Sequence, residues 1–135
     1  MLKRVKNYTN NPALGLLALR LTVGIPFLYH GVTKFMSMGA TVAFFASINL
    51  PAWLAWLVAL VETIGGLLII VGVATQTVAV LFIFIMIGAI VTIKGGMGYG
   101  NGGYELDLAL LLASVGVLCA GAGSYTIKKF TSNKI

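Results

Sequence analysis

Few residues in this chain of 135 could do chemistry, and three of them stand in unusual places. All the acidic residues, Glu62, Glu105 and Asp107, lie inside or at the edge of long apolar stretches. A carboxylate at the centre of a membrane helix costs about 2.5–3.5 kcal/mol, so it needs a partner or a function. The acidic residues therefore predict an internal polar site.

Basic side chains of the first apolar stretch are the available partners. Arg20 lies about 10 Å from the inner end of the first predicted helix, and Glu62 lies about 16 Å from the inner end of the second, at about 1.5 Å per residue. A long guanidinium can bridge that difference, so we expect an Arg20–Glu62 ion pair. At 4 Å and an effective dielectric of about 20, its attraction is about 4 kcal/mol, comparable to the cost of burying either charge.

A second polar cluster is expected nearer the outside. His30 and Lys34 are one turn apart on the first helix, and Glu105 and Asp107 begin the last helix at the same end of the bundle. The two acids are about 200° apart on a helical wheel, so only one can point inwards. We assign that role to Glu105, which continues a face of small residues, and interpret Asp107 as a cap or loop contact.

Together these residues predict a polar ladder, for which two interpretations remain. The ladder could be a set of ion pairs that fixes helix register, or it could surround a pocket for a small polar or quinone-like ligand, because intramembrane ionisable groups mark sites. The predicted ligand-binding residues are Arg20, His30, Lys34, Glu62 and Glu105. His30 is also the candidate catalytic proton relay, because imidazole exchanges protons near neutral pH.

The histidine and cysteine content excludes several kinds of metal centre. One histidine and one cysteine cannot supply bis-histidine haem ligation, a four-thiolate cluster or a typical zinc site, so no metal site is predicted. The only cofactor expected is a quinone, bound without a covalent link.

The elements that position these residues must be membrane helices. Hydrophobic residues make up 59% of the chain and charged residues only 9%, which a soluble domain does not reach. Four segments, near 13–35, 52–73, 76–94 and 104–124, are long enough to cross about 30 Å of hydrocarbon. We predict a single all-α domain over 1–135, a four-helix membrane bundle.

The sequence predicts different structures for two of the segments that connect the membrane helices. Met36 to Pro51 is too short to cross the membrane twice and predicts a short interfacial or re-entrant helix ended by Asn49 and Pro51. The glycine-rich run from Gly95 to Gly103 predicts an irregular connector.

Charge distribution predicts the orientation. The net charge is +6, and lysine and arginine cluster at both ends of the chain. Positive charge stays on the cytoplasmic side, so both termini should be cytoplasmic in a multi-pass plasma membrane protein. Flanking charge of this kind predicts contact with lipid rather than with nucleic acid.

The sequence also resembles the DoxX family of small four-helix membrane proteins over about residues 13–128. The resemblance rests on the runs Arg20 to Gly24, Phe27 to Phe35, Leu50 to Ala52, Glu62 to Gly66 with Gly72, and Gly102 to Glu105. It implies that Arg20, His30, Lys34, Glu62 and Glu105 match recurrent polar positions of the family. Gly121-Ala122-Gly123 departs from the family's closing Gly-Pro-Gly.

The resemblance implies association with quinone-linked oxidoreductases, of the thiosulfate:quinone or quinone-detoxification type. We therefore expect a quinone-binding subunit with an oxidoreductase partner, and homo-oligomers are also compatible with the sequence. Two other functions stay open: a non-enzymatic scaffold subunit of a membrane complex, and a small cation or multidrug transporter. A fixed positive charge beside Glu62 argues against the transporter.

Overall fold

The fold is a bundle of helices in a computed structural model that describes residues 10–94 and 103–127. In chain order the helices are α1 (Pro12–Met36), α2 (Met38–Ser47), α3 (Ala52–Val71), α4 (Thr75–Ala89) and α5 (Glu105–Ala120), and a π-helical turn (Ile90–Lys94) extends α4. The described residues contain no strand, so the all-α prediction is confirmed.

Local sequence explains where the first helices begin and end. The Asn11 side chain accepts hydrogen bonds from the backbone N–H groups of Ala13 and Leu14, and Pro12 occupies the first turn, where a missing N–H costs nothing. The predicted short helix between the first two spans is confirmed as α2. After it the chain turns through Asn49, in the left-handed region at φ 59°, to Pro51.

Helices α1 and α3 form a close antiparallel pair because glycines, which have no side chain, lie where the two helices meet. A Cβ atom on Gly66 would lie 2.6 Å from the backbone nitrogen of Leu28, and one on Gly24 would lie 2.9 Å from the carbonyl oxygen of Gly66. Further along, Gly31 lies against the backbone of Thr63. Small residues at such positions let helix backbones approach in a bilayer.

Gly65, the neighbour of Gly66 on α3, faces a different side of the helix and packs against α4. A Cβ atom on Gly65 would lie 2.8 Å from Val78 and 2.9 Å from Phe82, both on α4. The Phe82 ring stacks on Phe27 of α1, with centroids 3.6 Å apart and planes 10° from parallel. The two rings join α1 and α4 across the middle of the bundle.

Three of the helices are long and apolar enough to cross a membrane: Pro12–Met36, Ala52–Val71 and Thr75–Thr92. The last helix is shorter than its predicted span of 104–124 because it stops at Ala120, before Gly121 at φ 74°. Many large apolar side chains on the outer faces are exposed, as expected of helices that face lipid. The basic termini and most of the glycine-rich connector lie outside the described residues.

Candidate ligand cavity

A cavity of about 770 Å³ lies at one end of the bundle. Its walls are the C-terminal half of α1, the N-terminal half of α3, the C-terminal half of α4 and the first turns of α5, and α2 borders it as well. The volume falls within the roughly 300–1,000 Å³ typical of sites for small ligands. Most lining residues are apolar, and the polar or ionisable ones are His30, Lys34, Thr41, Glu62, Thr92 and Asp107.

The centre of polarity in this cavity is an ion pair between α1 and α3. The Lys34 Nζ donates to Glu62 Oε2 at 2.6 Å. The Glu62 side chain is only 4% exposed, whereas that of Lys34 is 26% exposed. An ammonium group has three N–H donors, and the hydrogen bond to Glu62 uses one of them. The pair thus offers a partly exposed cation backed by a buried anion.

Two further ionisable residues lie on the cavity wall. His30 is exposed one turn before Lys34, and its ring meets Tyr29 edge to face at 5.7 Å. Asp107 is on the first turn of α5. Leu19 contacts Gly116 and Leu16 contacts Gly123, so α1 and α5 run antiparallel, and the continued register brings Asp107 to about the level of His30.

The structure corrects the choice between the two acids of α5. Asp107 lines the cavity, and Glu105 is not among the lining residues. The buried side chains of α5 are Leu110, Ser114 and Val117, which continue the face of Asp107 at helical spacing. The face of Glu105 includes Leu112, which is 60% exposed, so the stripe of small residues that suggested an inward face points largely outwards.

The expected Arg20–Glu62 pair is also wrong, because Arg20 bonds backbone carbonyls at the opposite end of the bundle from the cavity. Its Nε donates to the carbonyl of Ile69 at 2.9 Å and its Nη2 to that of Ile70 at 2.6 Å. Its Nη1 donates to the carbonyls of Ala122 at 2.7 Å and Tyr125 at 2.6 Å. Arg20 is not among the cavity-lining residues.

These contacts make Arg20 a shared cap, which we call the Arg20 clasp. The last carbonyls of a helix lack intrahelical partners and carry the negative end of the helix dipole, so a buried guanidinium is well placed at the end of α3. Gly72 follows with φ 79°, and a Cβ atom there would lie 2.8 Å from Arg20 Nη2. Gly72 is therefore required both by the turn and by the clasp.

The pairing error has a simple geometric cause. The predicted depths assume that the inner ends of α1 and α3, which are the N-terminus of α1 and the C-terminus of α3, lie at the same level. Contacts of Gly24 with Gly66 and Ile70 instead place Arg20 level with the end of α3 and Glu62 level with Lys34. Helix α1, with 25 residues, extends past α3, which has 20.

Helix α2 supplies an aromatic wall of the cavity that is not predicted from the sequence. Phe44 and Phe45 line the cavity, and Phe45 is buried. The sequence of their segment predicts a short interfacial or re-entrant helix, which does not by itself place the two rings at a cavity. The signal available was an aromatic pair on a segment that lies at the same end as His30 and Lys34.

Fold and site together define a class: a small helical membrane protein with an apolar cavity around an interhelical ion pair. The sequence profile of the DoxX family matches residues 15–95, and the chain belongs to this family. No solved structure matches the chain.

Three relatives each match more than half of the chain. The protein named "Putative oxidoreductase CatD" of Bacillus subtilis is 41% identical over 117 residues, 87% of each chain. An uncharacterized membrane protein of Mycobacterium tuberculosis is 31% identical, over 87% of this chain and 82% of its own. The inner membrane protein YphA of Escherichia coli is 38% identical over 56% of each chain.

Proposed function

We propose that this DoxX-family membrane protein binds a quinone, or a similar small redox-active ring, in the cavity beside Lys34 and Glu62, and that it supports a membrane oxidoreductase. The observation that carries the proposal is an ion pair with a partly exposed cation in a cavity whose walls are mostly apolar. The name of the Bacillus subtilis relative supports the redox assignment.

The cavity residues have chemically matched roles in this proposal. The two remaining N–H donors of Lys34 suit a quinone carbonyl, and the carboxylate of Asp107 can accept from a hydroxyl of the reduced form. His30 relays protons, since quinone reduction takes up two protons with two electrons. One histidine and one cysteine are too few for bis-histidine haem or a four-thiolate iron–sulfur cluster, so in this proposal the electrons come from a partner subunit.

The competing transporter function is disfavoured by the same pair. A buried acid that carries cations must be reachable by them, and Lys34 holds a positive charge 2.6 Å from Glu62. A cationic substrate would meet this charge first.

We further propose that the protein lies in the plasma membrane with both termini in the cytoplasm. The basic residues at both ends of the sequence support this orientation. The cavity would then open towards the outer half of the bilayer.

Binding of menadione, a tail-less quinone, tests the proposed function. The protein in lipid nanodiscs should bind it saturably, and His30→Ala and the double variant Lys34→Met/Glu62→Gln should each weaken binding. Cys119→Ser is the background, because the exposed thiol would add to menadione. Thr22→Ala, on α1 but outside the cavity wall, is the control. Two results would contradict the proposal: menadione binding that does not saturate, and menadione binding that none of the cavity variants changes.

A further inference from the structure

The cavity has chemically different sides. Its ionisable residues come from α1, from the first turn of α5 and from Glu62, which points at Lys34 of α1. The remaining lining residues of α3, and all those of α4, are apolar or glycine, and Thr92 lies in the π-helical turn that extends α4. A ligand that matches both sides is polar at one end and apolar at the other.

The apolar side lies between α3 and α4, which pack loosely against each other. These helices touch near their connecting turn, where Gly65 contacts Val78 and Phe82. Beyond that level both helices present cavity-lining residues, and their packing is much looser than that of α1 on α3. Within the described residues, the α3–α4 seam is thus partly open beside the cavity.

The rim of this gap is exposed on the surface that faces lipid. Leu57 of α3 is 46% exposed, and Leu81 and Phe84 of α4 are 43% and 68% exposed, yet all three also line the cavity. Side chains that belong both to the cavity wall and to the outer face mark an opening between the two. The edge of the cavity formed by these three side chains is apolar, so it suits hydrocarbon and disfavours a charged solute.

We infer that the ligand enters from the bilayer through the α3–α4 gap and carries an apolar tail that stays in the gap, while its polar ring lies beside Lys34 and Glu62. This inference rests on the proposed function and narrows its ligands to lipid-soluble, tailed molecules. A ligand with a polar ring and an apolar tail matches a cavity that is open to lipid on one side and polar on the other.

The test compares two quinones with the same ring, phylloquinone with a long isoprenoid tail and menadione with none, in nanodiscs with the Cys119→Ser chain. Leu57→Trp narrows the gap and should weaken phylloquinone binding by roughly tenfold more than it weakens menadione binding, a difference of about 1.4 kcal/mol. The matched control is Leu60→Trp, on the same helix and 48% exposed but outside the cavity wall; it should change neither.

Photocrosslinking gives a second readout that needs no variant. A phylloquinone analogue with a diazirine on its tail should form adducts on the peptides that contain Leu57, Leu81 or Phe84. Adducts on α1 and α5 instead, or equal binding of phylloquinone by wild type and Leu57→Trp, overturn the lateral entry. If menadione binds and only these results fail, the proposed function survives; if neither quinone binds, both proposals fall.

Discussion

At the scale of single residues, Arg20, Lys34 and Glu62 belong to two separate arrangements. The Lys34–Glu62 pair lies at the cavity, and the Arg20 clasp lies at the opposite end of the bundle. The first satisfies a cation with an anion, and the second satisfies a cation with backbone carbonyls. Only the first leaves a charged group partly exposed to a ligand.

The ion pair makes a prediction about stability. Lys34→Met leaves Glu62 buried without its partner, and Glu62→Gln leaves Lys34 without its anion, so each should lower the free energy of unfolding by about 3 kcal/mol or more. The double variant Lys34→Met/Glu62→Gln removes both charges and should lose no more than either single variant. Unfolding in detergent micelles by SDS titration measures all three. Additive losses would show that the two residues act independently.

The same residues show what the sequence can and cannot predict. A buried glutamate in an apolar helix predicted a cationic partner, and the structure supplies one. Which cation it is depends on how far α1 extends beyond α3, and nothing in the composition of either helix fixes that offset. The acceptors of Arg20 are main-chain carbonyls, which every residue has, so no sequence pattern identifies them.

At the scale of the helices, length and apolar content predicted the elements well. The three long spans and α2 appear close to their expected bounds, since crossing lipid dictates how many apolar residues a helix needs. Which side of a helix points into the bundle was less predictable. In α5 nearly every position is apolar or small, so the choice between Glu105 and Asp107 had no hydrophobic face to guide it.

The α1–α3 contact predicts opposite effects for two glycine substitutions. Gly66→Ala places a methyl group against the Leu28 backbone, so the helices must separate, and the free energy of unfolding should fall by about 1–3 kcal/mol. Gly15→Ala, also within a helix, meets nothing within 4 Å and should raise it by about 0.5–1 kcal/mol. The same SDS titration compares both. Equal effects at the two positions would contradict the close approach.

At the scale of the whole molecule, two tightly packed helix pairs surround the cavity. Helix α1 packs on α3 and α4 packs on α5, and the contacts between the pairs are fewer. Such a bundle can keep a space between its halves without weakening either half. The sequence predicted a pocket from its polar residues, but the apolar opening depends on how the pairs diverge, which only the assembled fold shows.

The proposed orientation has its own test. Because basic residues flank both ends of the chain, fusions to either terminus should remain in the cytoplasm. A green fluorescent protein at the C-terminus should fluoresce, and alkaline phosphatase at the same place should be inactive. A phosphatase fusion after Ser37, between α1 and α2, is the control and should be active. Active phosphatase at the C-terminus would reverse the assignment.

The Arg20 clasp has a consequence for biosynthesis. As the ribosome makes the chain, Arg20 enters the membrane with α1, the carbonyls of Ile69 and Ile70 follow with α3, and those of Ala122 and Tyr125 emerge last. The guanidinium therefore cannot make all of these bonds until the segment after α5 has been synthesised. The clasp joins α1 to a segment that follows every other described helix.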